Sequence, residues 1–246
     1  MPELVYPPVI QVVLAGFRAL DLKIDVRGAE HVPATGGAVL ASTHVSYLDF
    51  IFAGLGARPA GRLVRFMAKK EVFDHPVSGP LMRGMRHIPV DRRAGAGAYD
   101  AALEALRSGE LIGIFPEATI SQSFEVKAIK SGAVRLASAA GVPLIPLAIW
   151  GTQRLWTKGR ARNFGQRGIP IIVTVGKPMA LSPDESAHVT TQRLRERMTQ
   201  LQRQAQDSYP DKPAPGESPF WLPARMGGSA PTPQQADELD RAERKR

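Results

Sequence analysis

Cysteine is absent from all 246 residues. That excludes disulfides, thiolate nucleophiles, iron–sulfur clusters and cysteine-based zinc sites, and it favours a reducing compartment. Long apolar runs are absent as well. The nearest, Leu4 to Leu20, is broken by Pro7, Pro8, Gln11 and Arg18, short of the ~20 predominantly apolar residues of a membrane span. Its only early charge is Glu3, and it lacks the basic start and small-residue cleavage site of a secretory leader. An intracellular protein that meets a membrane from one side only is expected. The five histidines (His31, His44, His75, His87 and His188) are scattered, so no metal site is expected. There is no Walker A sequence and no G-x-S-x-G elbow, and Gly95-Ala-Gly97 meets Asp100 where a dinucleotide fingerprint needs its third glycine. Aromatic residues make up 7% of the chain and no nucleic-acid recognition consensus is visible, so no nucleic-acid partner is expected.

Positive charge, by contrast, is plentiful. Lys and Arg number 32 against 23 Asp and Glu, a net +9. The charge is local: residues 58–93 hold nine basic and three acidic side chains, and residues 151–177 hold six basic and no acidic ones. Such concentration suits a polyanionic partner, an anionic membrane surface or a phosphorylated ligand better than it suits general solubility.

The hydrophobic pattern alternates between short strand-like and longer helix-like stretches. Residues 9–20 read as a short apolar helix, and Leu22 to Val26 alternate with the period of a strand. Further strands are expected at Ala38–Ala41, Val64–Ala68, Ile88–Val90, Leu111–Phe115, Leu144–Trp150 and Ile171–Val175. Helical stretches separate them at Leu48–Gly56, Ser78–Met85, Ala96–Arg107 and Ser131–Ala140. This order implies an α/β fold with a mixed, largely parallel sheet flanked by helices. Ser182-Pro-Asp-Glu185 has the form of a capping box and predicts a closing helix over 183–206. The domain is therefore expected to span 1–207, with its motif-bearing core at 22–180. Residues 208–246 then form a tail. Its first 28 residues carry seven Pro and three Gly, yet Phe220-Trp-Leu222 is too apolar for a plain linker and predicts a strap that docks on the core or enters lipid. The last residues, 236–246, read as a charged, fraying helix.

The most chemically suggestive pattern is His44-Val-Ser-Tyr-Leu-Asp49. A histidine at a strand end, with an aspartate five residues on entering a helix, can fold back so that the carboxylate orients the imidazole as a general base. By spacing alone the pair is also readable as coincidence. With cysteine absent, the attacking hydroxyl must come from a serine or from a substrate. Phe115-Pro-Glu-Ala-Thr-Ile-Ser121 follows a buried strand and predicts a turn presenting Glu117 and Thr119 at the sheet edge, or simply a capped turn. Ile88-Pro-Val-Asp-Arg-Arg93 places two guanidiniums beyond a strand, suited to phosphate or merely solvated.

Taken in order, His44-x-x-x-x-Asp49, then Lys70…Pro76…Gly79…Gly84…Ile88-Pro-Val-Asp-Arg92, then Phe115-Pro-Glu117, then Val142-Pro-Leu-Ile-Pro146 resemble the glycerolipid acyltransferases, the 1-acyl-glycerol-3-phosphate acyltransferase-like enzymes. The resemblance covers about residues 20–180. It implies that family's fold and transfer of a fatty acyl group from acyl-coenzyme A or acyl carrier protein to a lysophospholipid hydroxyl, with 1-acyl-sn-glycerol-3-phosphate giving phosphatidic acid. On it, His44 is the base, Asp49 orients it, and the substrate hydroxyl attacks directly with no acyl-enzyme. Arg92 would hold the acceptor phosphate. Glu117, Ala118 and Thr119 would shape the acceptor pocket, and Lys130 with Gly132 would continue the site. No cofactor is implied beyond the acyl donor as co-substrate. The implied location is peripheral, at the cytoplasmic face of the membrane. The loop holding Arg154, Lys158, Arg160, Arg162 and Arg167 would face anionic headgroups or the coenzyme's phosphates.

Two positions depart from the family's Phe-Pro-Glu-Gly-Thr-Arg-Ser block. Ala118 replaces the glycine and Ile120 replaces the arginine. A lost guanidinium–phosphate contact forfeits about 1.5–3 kcal/mol, roughly ten- to hundred-fold in affinity. Either Arg92, Arg93, Lys127 or Lys130 compensates, or the acceptor differs, for instance a glycolipid. A non-catalytic lipid-binding protein and a serine hydrolase using Ser46 are the remaining alternatives.

Overall fold

Pro7 and Pro8 sit in the first turn of α1 (Tyr6–Ala19), where backbone amides have no partner within the helix and a missing donor costs nothing. The helix expected at 9–20 therefore starts three residues earlier and ends one earlier. The computed structural model describes residues 3–91, 95–182 and 184–244. After α1 come β1 (Lys23–Arg27), β2 (Ala38–Ser42), α2 (Asp49–Ala57), β3 (Val64–Lys69), α3 (Lys70–Asp74), α4 (Ser78–Gly84) and β4 (Ile88–Val90). There follow α5 (Gly95–Arg107), β5 (Leu111–Ile114), α6 (Gly132–Ala140), β6 (Leu144–Trp150), β7 (Pro170–Val175), α7 (Ala187–Asp207) and α8 (Pro233–Arg244).

The strands form one sheet in the order β1-β7-β6-β2-β5-β3-β4. Every neighbouring pair is parallel except β6 with β7. Every residue of β2 and of β6 is buried, as befits strands covered on both faces. On one face α1 and α2 meet the sheet, with the rings of Phe17 and Phe52 stacked at 4.7 Å. On the other, Ala102 and Leu106 of α5, Val134 and Leu136 of α6, and Leu194 and Met198 of α7 cover Val39, Ile112 and Leu144. Gly113 in β5 has a specific packing role. A Cβ there would lie 2.3 Å from the Phe66 ring, so its absence lets that ring lie flat across the strand.

Two boundaries differ from expectation at the C-terminal side. The α7 helix begins at Ala187, not at 183, because Ser186 rather than Ser182 is the cap: its Oγ accepts from the Val189 amide at 3.3 Å. Ser182 and Glu185 form a separate turn, and Glu185 instead accepts from Thr190 Oγ1 at 2.8 Å and pairs with Arg193. The tail is packed on the core. Tyr209 donates to the Pro170 carbonyl at 2.8 Å and meets Trp150 edge-on; Gln153 donates to the Trp221 carbonyl; Leu222, Ala230 and Ala236 are buried. The charged end is a helix, α8, described as far as Arg244.

The amino-terminal side is tied down by charge. Arg65, 3% exposed, pairs with Glu3 and Glu110 and donates to the Met85 carbonyl. Tyr6 donates to the Val64 carbonyl at 2.9 Å. Beside them, His87 accepts from the Phe66 amide at 3.1 Å and lies edge-on to Tyr6 and Phe66. Burial, and then the neighbouring Arg65 charge, push His87 from its usual 6.5 down to about 4. The unfolded imidazole therefore takes up a proton that the folded one refuses, so stability falls as pH drops through that window. The expected loss is up to about 3 kcal/mol. Denaturant titrations should show wild type losing that much more than His87→Gln between pH 7 and pH 4. Equal pH slopes in the two proteins would refute the burial of a neutral imidazole.

Candidate active site

The site begins where β2 ends. Thr43 extends the ladder to β6, its amide donating to the Leu147 carbonyl and its Oγ1 accepting from the Ile149 amide. The chain then turns sharply, and the turn is closed by Asp49 at the start of α2. The wholly buried Asp49 carboxylate accepts four hydrogen bonds. Oδ2 takes His44 Nδ1 at 3.0 Å, the Val45 amide at 2.6 Å and the Ser46 amide at 2.7 Å; Oδ1 takes Thr152 Oγ1 at 2.6 Å. A carboxylate offers only acceptors, so Nδ1 carries the ring hydrogen and Nε2 is left with a free lone pair. The imidazole stacks on Phe115 at 4.2 Å and keeps 19% exposure. Phe115 in turn stacks on Phe66, the ring seated over Gly113.

The Pro-Glu turn after β5 braces the other side of His44. Glu117 is buried, with Oε1 accepting from the His44 amide at 2.9 Å and Oε2 from the Lys127 amide at 3.1 Å. Burial pushes its carboxyl up to about 7, against the pull of those two backbone donors. Glu117 thus positions the backbone around His44. The Ser121 amide adds a bond to the His44 carbonyl at 2.7 Å. Ala118 adopts φ +63°, the left-handed region, which explains why a glycine suits this place in the block. Ile120 is 5% exposed, so an apolar side chain fills the position where the resemblance has a cation.

The expected residues do not all converge. His44, Asp49 and Glu117 share one hydrogen-bonded turn. Thr119 is engaged elsewhere, its Oγ1 accepting from Lys127 Nζ and donating to Asp240 at 3.4 Å. Lys130 and Gly132 are exposed at the entrance to α6, the Lys130 amide donating to the Pro116 carbonyl. Arg92 and Arg93 lie outside the described residues. Arg154 corrects the expectation of a lipid- or phosphate-facing loop: it is 7% exposed, paired with Asp211, bonded to Tyr209 and set over the Trp221 ring. Arg160 and Arg162 lie over the rings of Phe220 and Trp156. Ser46 is wholly buried and donates to the Trp156 carbonyl at 2.6 Å, which removes it as a nucleophile. Thr152, 103 residues from Asp49, is the member that sequence reasoning missed; its only local signal is a Gly-Thr pair following a buried strand.

An imidazole oriented through Nδ1, beside a serine hydroxyl that is committed elsewhere, is equipped to activate a group on one substrate toward another. The chain belongs to the acyltransferase family, whose sequence model matches residues 23–150, from the first residue of β1 to the last of β6. That span contains His44, Asp49 and Glu117. The 1-acyl-sn-glycerol-3-phosphate acyltransferase of Bacillus subtilis is 33% identical to it over 154 residues, covering 58% of this chain and 75% of that one. The protein of the same name from Limnanthes alba is also 33% identical, over 163 residues, 64% of this chain and 55% of that one. The chain thus spans about half the length of the plant relative. The crystal structure of the 1-acyl-sn-glycerophosphate acyltransferase of Thermotoga maritima shares the fold, with a TM-score of 0.70 over 83% of this chain and 81% of that one at 23% identity.

The left-handed Ala118 makes the turn testable. An L-residue in that region costs about 1–2 kcal/mol, partly offset because glycine loosens the unfolded chain by about 0.4–1 kcal/mol. Ala118→Gly is expected to raise stability by about 0.5 kcal/mol in urea titration, and Ala118→Val to lower it by more than about 1 kcal/mol. A Val variant as stable as wild type would contradict the assigned conformation.

Proposed function

We propose that the protein moves a fatty acyl group from acyl-coenzyme A or acyl carrier protein to the free hydroxyl of 1-acyl-sn-glycerol-3-phosphate, giving phosphatidic acid. The observation that carries this reading is His44, fixed by Asp49 through Nδ1, with the neighbouring Ser46 hydroxyl committed to the Trp156 carbonyl. Nε2 accepts the proton of the acceptor hydroxyl as its oxygen bonds to the thioester carbonyl carbon. Collapse of the tetrahedral adduct breaks the C–S bond, and His44 returns the proton to the departing thiolate. No covalent acyl-enzyme forms. The names of the relatives support the acceptor; Lys130 and the amino end of α6 suit its phosphate. Arg92, from the block that resembles the family's, is assigned to the same phosphate.

Purified protein should release coenzyme A from a long-chain acyl-coenzyme A when offered lysophosphatidate. His44→Ala should lower turnover about 100- to 10,000-fold with an unchanged circular dichroism spectrum. A folded His44→Ala protein with full turnover would falsify the base assignment. Buried Ile120 supports a second reading, the same transfer to an acceptor without phosphate. An acceptor panel separates the two, since equal rates with lysophosphatidate and a non-phosphorylated alcohol favour the second.

The reaction needs access to lipid, and we place the protein peripherally at the cytoplasmic face of the membrane. Among the described residues no helix is long and apolar enough to cross a membrane. Val5, Val9 and Ile10 of the α1 region pack with Phe73, Met82 and Met85 of α3 and α4. Leu4 and Val12 at α1, and Val72, Val77 and Leu81 at α3 and α4, are left exposed around that cluster. Lys69 and Lys70 lie exposed at the start of α3. Inserting two such side chains yields about 1.5–3 kcal/mol each, so Leu4→Glu with Val12→Glu should weaken co-sedimentation with phosphatidylglycerol vesicles by about tenfold or more. Vesicle binding that survives both substitutions would remove this surface as the membrane contact.

A further inference from the structure

The charged end of the chain returns to the catalytic turn in an unexpected way. Asp240, 6% exposed on α8, accepts from Lys127 Nζ and from Lys158 Nζ, both at 2.7 Å, and from Thr119 Oγ1 at 3.4 Å. The two lysines are themselves 11% and 16% exposed. Glu243, one turn along α8, also pairs with Lys158 at 2.5 Å. All three donors sit on segments bonded to the His44 turn. Thr119 is two residues from Glu117, the Lys127 amide donates to Glu117, and Lys158 follows Thr157, whose Oγ1 donates to the Val45 carbonyl at 2.7 Å. Three residues beyond Thr119, the buried Nε2 of Gln122 has no hydrogen-bond partner among the described residues.

Two ammonium groups and a hydroxyl converging on one carboxylate are the donor set of an oxyanion site. Stripped of α8, they would be left as two adjacent positive charges and a hydroxyl without their carboxylate partner, a set that another anion would complete. The hold of α8 on the core is correspondingly narrow. Ala236 and Asp240 are its buried residues, Leu239 is 44% exposed, and an isolated helix of 12 residues is marginal in water. We propose that Lys127, Lys158 and Thr119 form a phosphate-binding site beside the catalytic turn, and that the Asp240 carboxylate occupies it, so that a substrate phosphate binds by displacing α8. The ligand chemistry is a phosphate monoester, carried either by the 3′ position of coenzyme A or by a glycerol 3-phosphate headgroup, the latter taking the place of the Lys130 and Arg92 assignment above. This rests on the acyl-transfer reading for its choice of ligands.

Calorimetric titration of the full chain with glycerol 3-phosphate and with coenzyme A, each against its counterpart lacking the monoester (glycerol and dephospho-coenzyme A), tests it. Asp240→Asn should bind one of the two phosphates about tenfold more tightly than wild type, and the one affected identifies the source. In wild type, the same ligand at saturation should speed amide hydrogen exchange across residues 233–244. Lys127→Met combined with Lys158→Met should abolish both effects. Unchanged or weaker affinity of Asp240→Asn for both phosphates overturns the site, as does unaltered exchange of α8 in saturated wild type, a readout that needs no variant to fold. Neither measurement requires turnover. Tighter phosphate binding in a protein that transfers no acyl group would remove the reaction and keep the site, and turnover with an indifferent Asp240 would do the reverse.

Discussion

One buried carboxylate organises the turn at the end of β2. Asp49 accepts from a ring, two backbone amides and a hydroxyl contributed from beyond β6, so the end of β2, the start of α2 and the segment after β6 meet at a single group. Because the carboxylate is wholly buried, losing any of these donors leaves an acceptor unpaired at a cost of about 1–3 kcal/mol. An amide in its place would bring a donor against donors. Glu117 complements it from the opposite side: Asp49 fixes the His44 ring, and Glu117 fixes the His44 backbone. Two acids bracket one imidazole, and neither is a spectator of the fold.

Much of this was readable from the chain, and the limits have physical causes. The spacing of His44 and Asp49 was informative because a strand end followed by a helix start folds back over that distance. The strands at 88–90 and 144–150 fall where the apolar pattern placed them. Caps were harder. Ser182 and Ser186 are both competent local signals, and tertiary packing rather than propensity chose Ser186. Thr152 could not be read because its partnership spans 103 residues. The richness of the tail in proline and glycine correctly excluded long regular structure before α8, yet it did not imply a lack of order: Tyr209, Leu222 and Ala230 are buried all the same.

Charge carries a similar lesson. The sequence clusters its cations at 58–93 and 151–177, which suggests two electropositive surfaces. In three dimensions several of those cations are spent inside. Arg65 serves Glu3 and Glu110, Arg154 serves Asp211 and the strap aromatics, and Lys158 serves Asp240 and Glu243. The field that remains outside is therefore smaller and more local than a net +9 suggests. Lys69, Lys70 and Lys130 are exposed within it, and all three lie at the starts of α3 and α6.

The buried Arg65 has one more effect. Because its guanidinium holds Glu3 and sits within 5.4 Å of the Tyr6 ring centroid, the entrance to α1 is bolted to β3 and β5. Peeling that helix away would take one of two carboxylates from a guanidinium that Glu110 and the Met85 carbonyl still hold inside. α1 is thus a keel and not a tether. Any surface that seats it also sets the tilt of the whole sheet and the height at which the His44 turn rides.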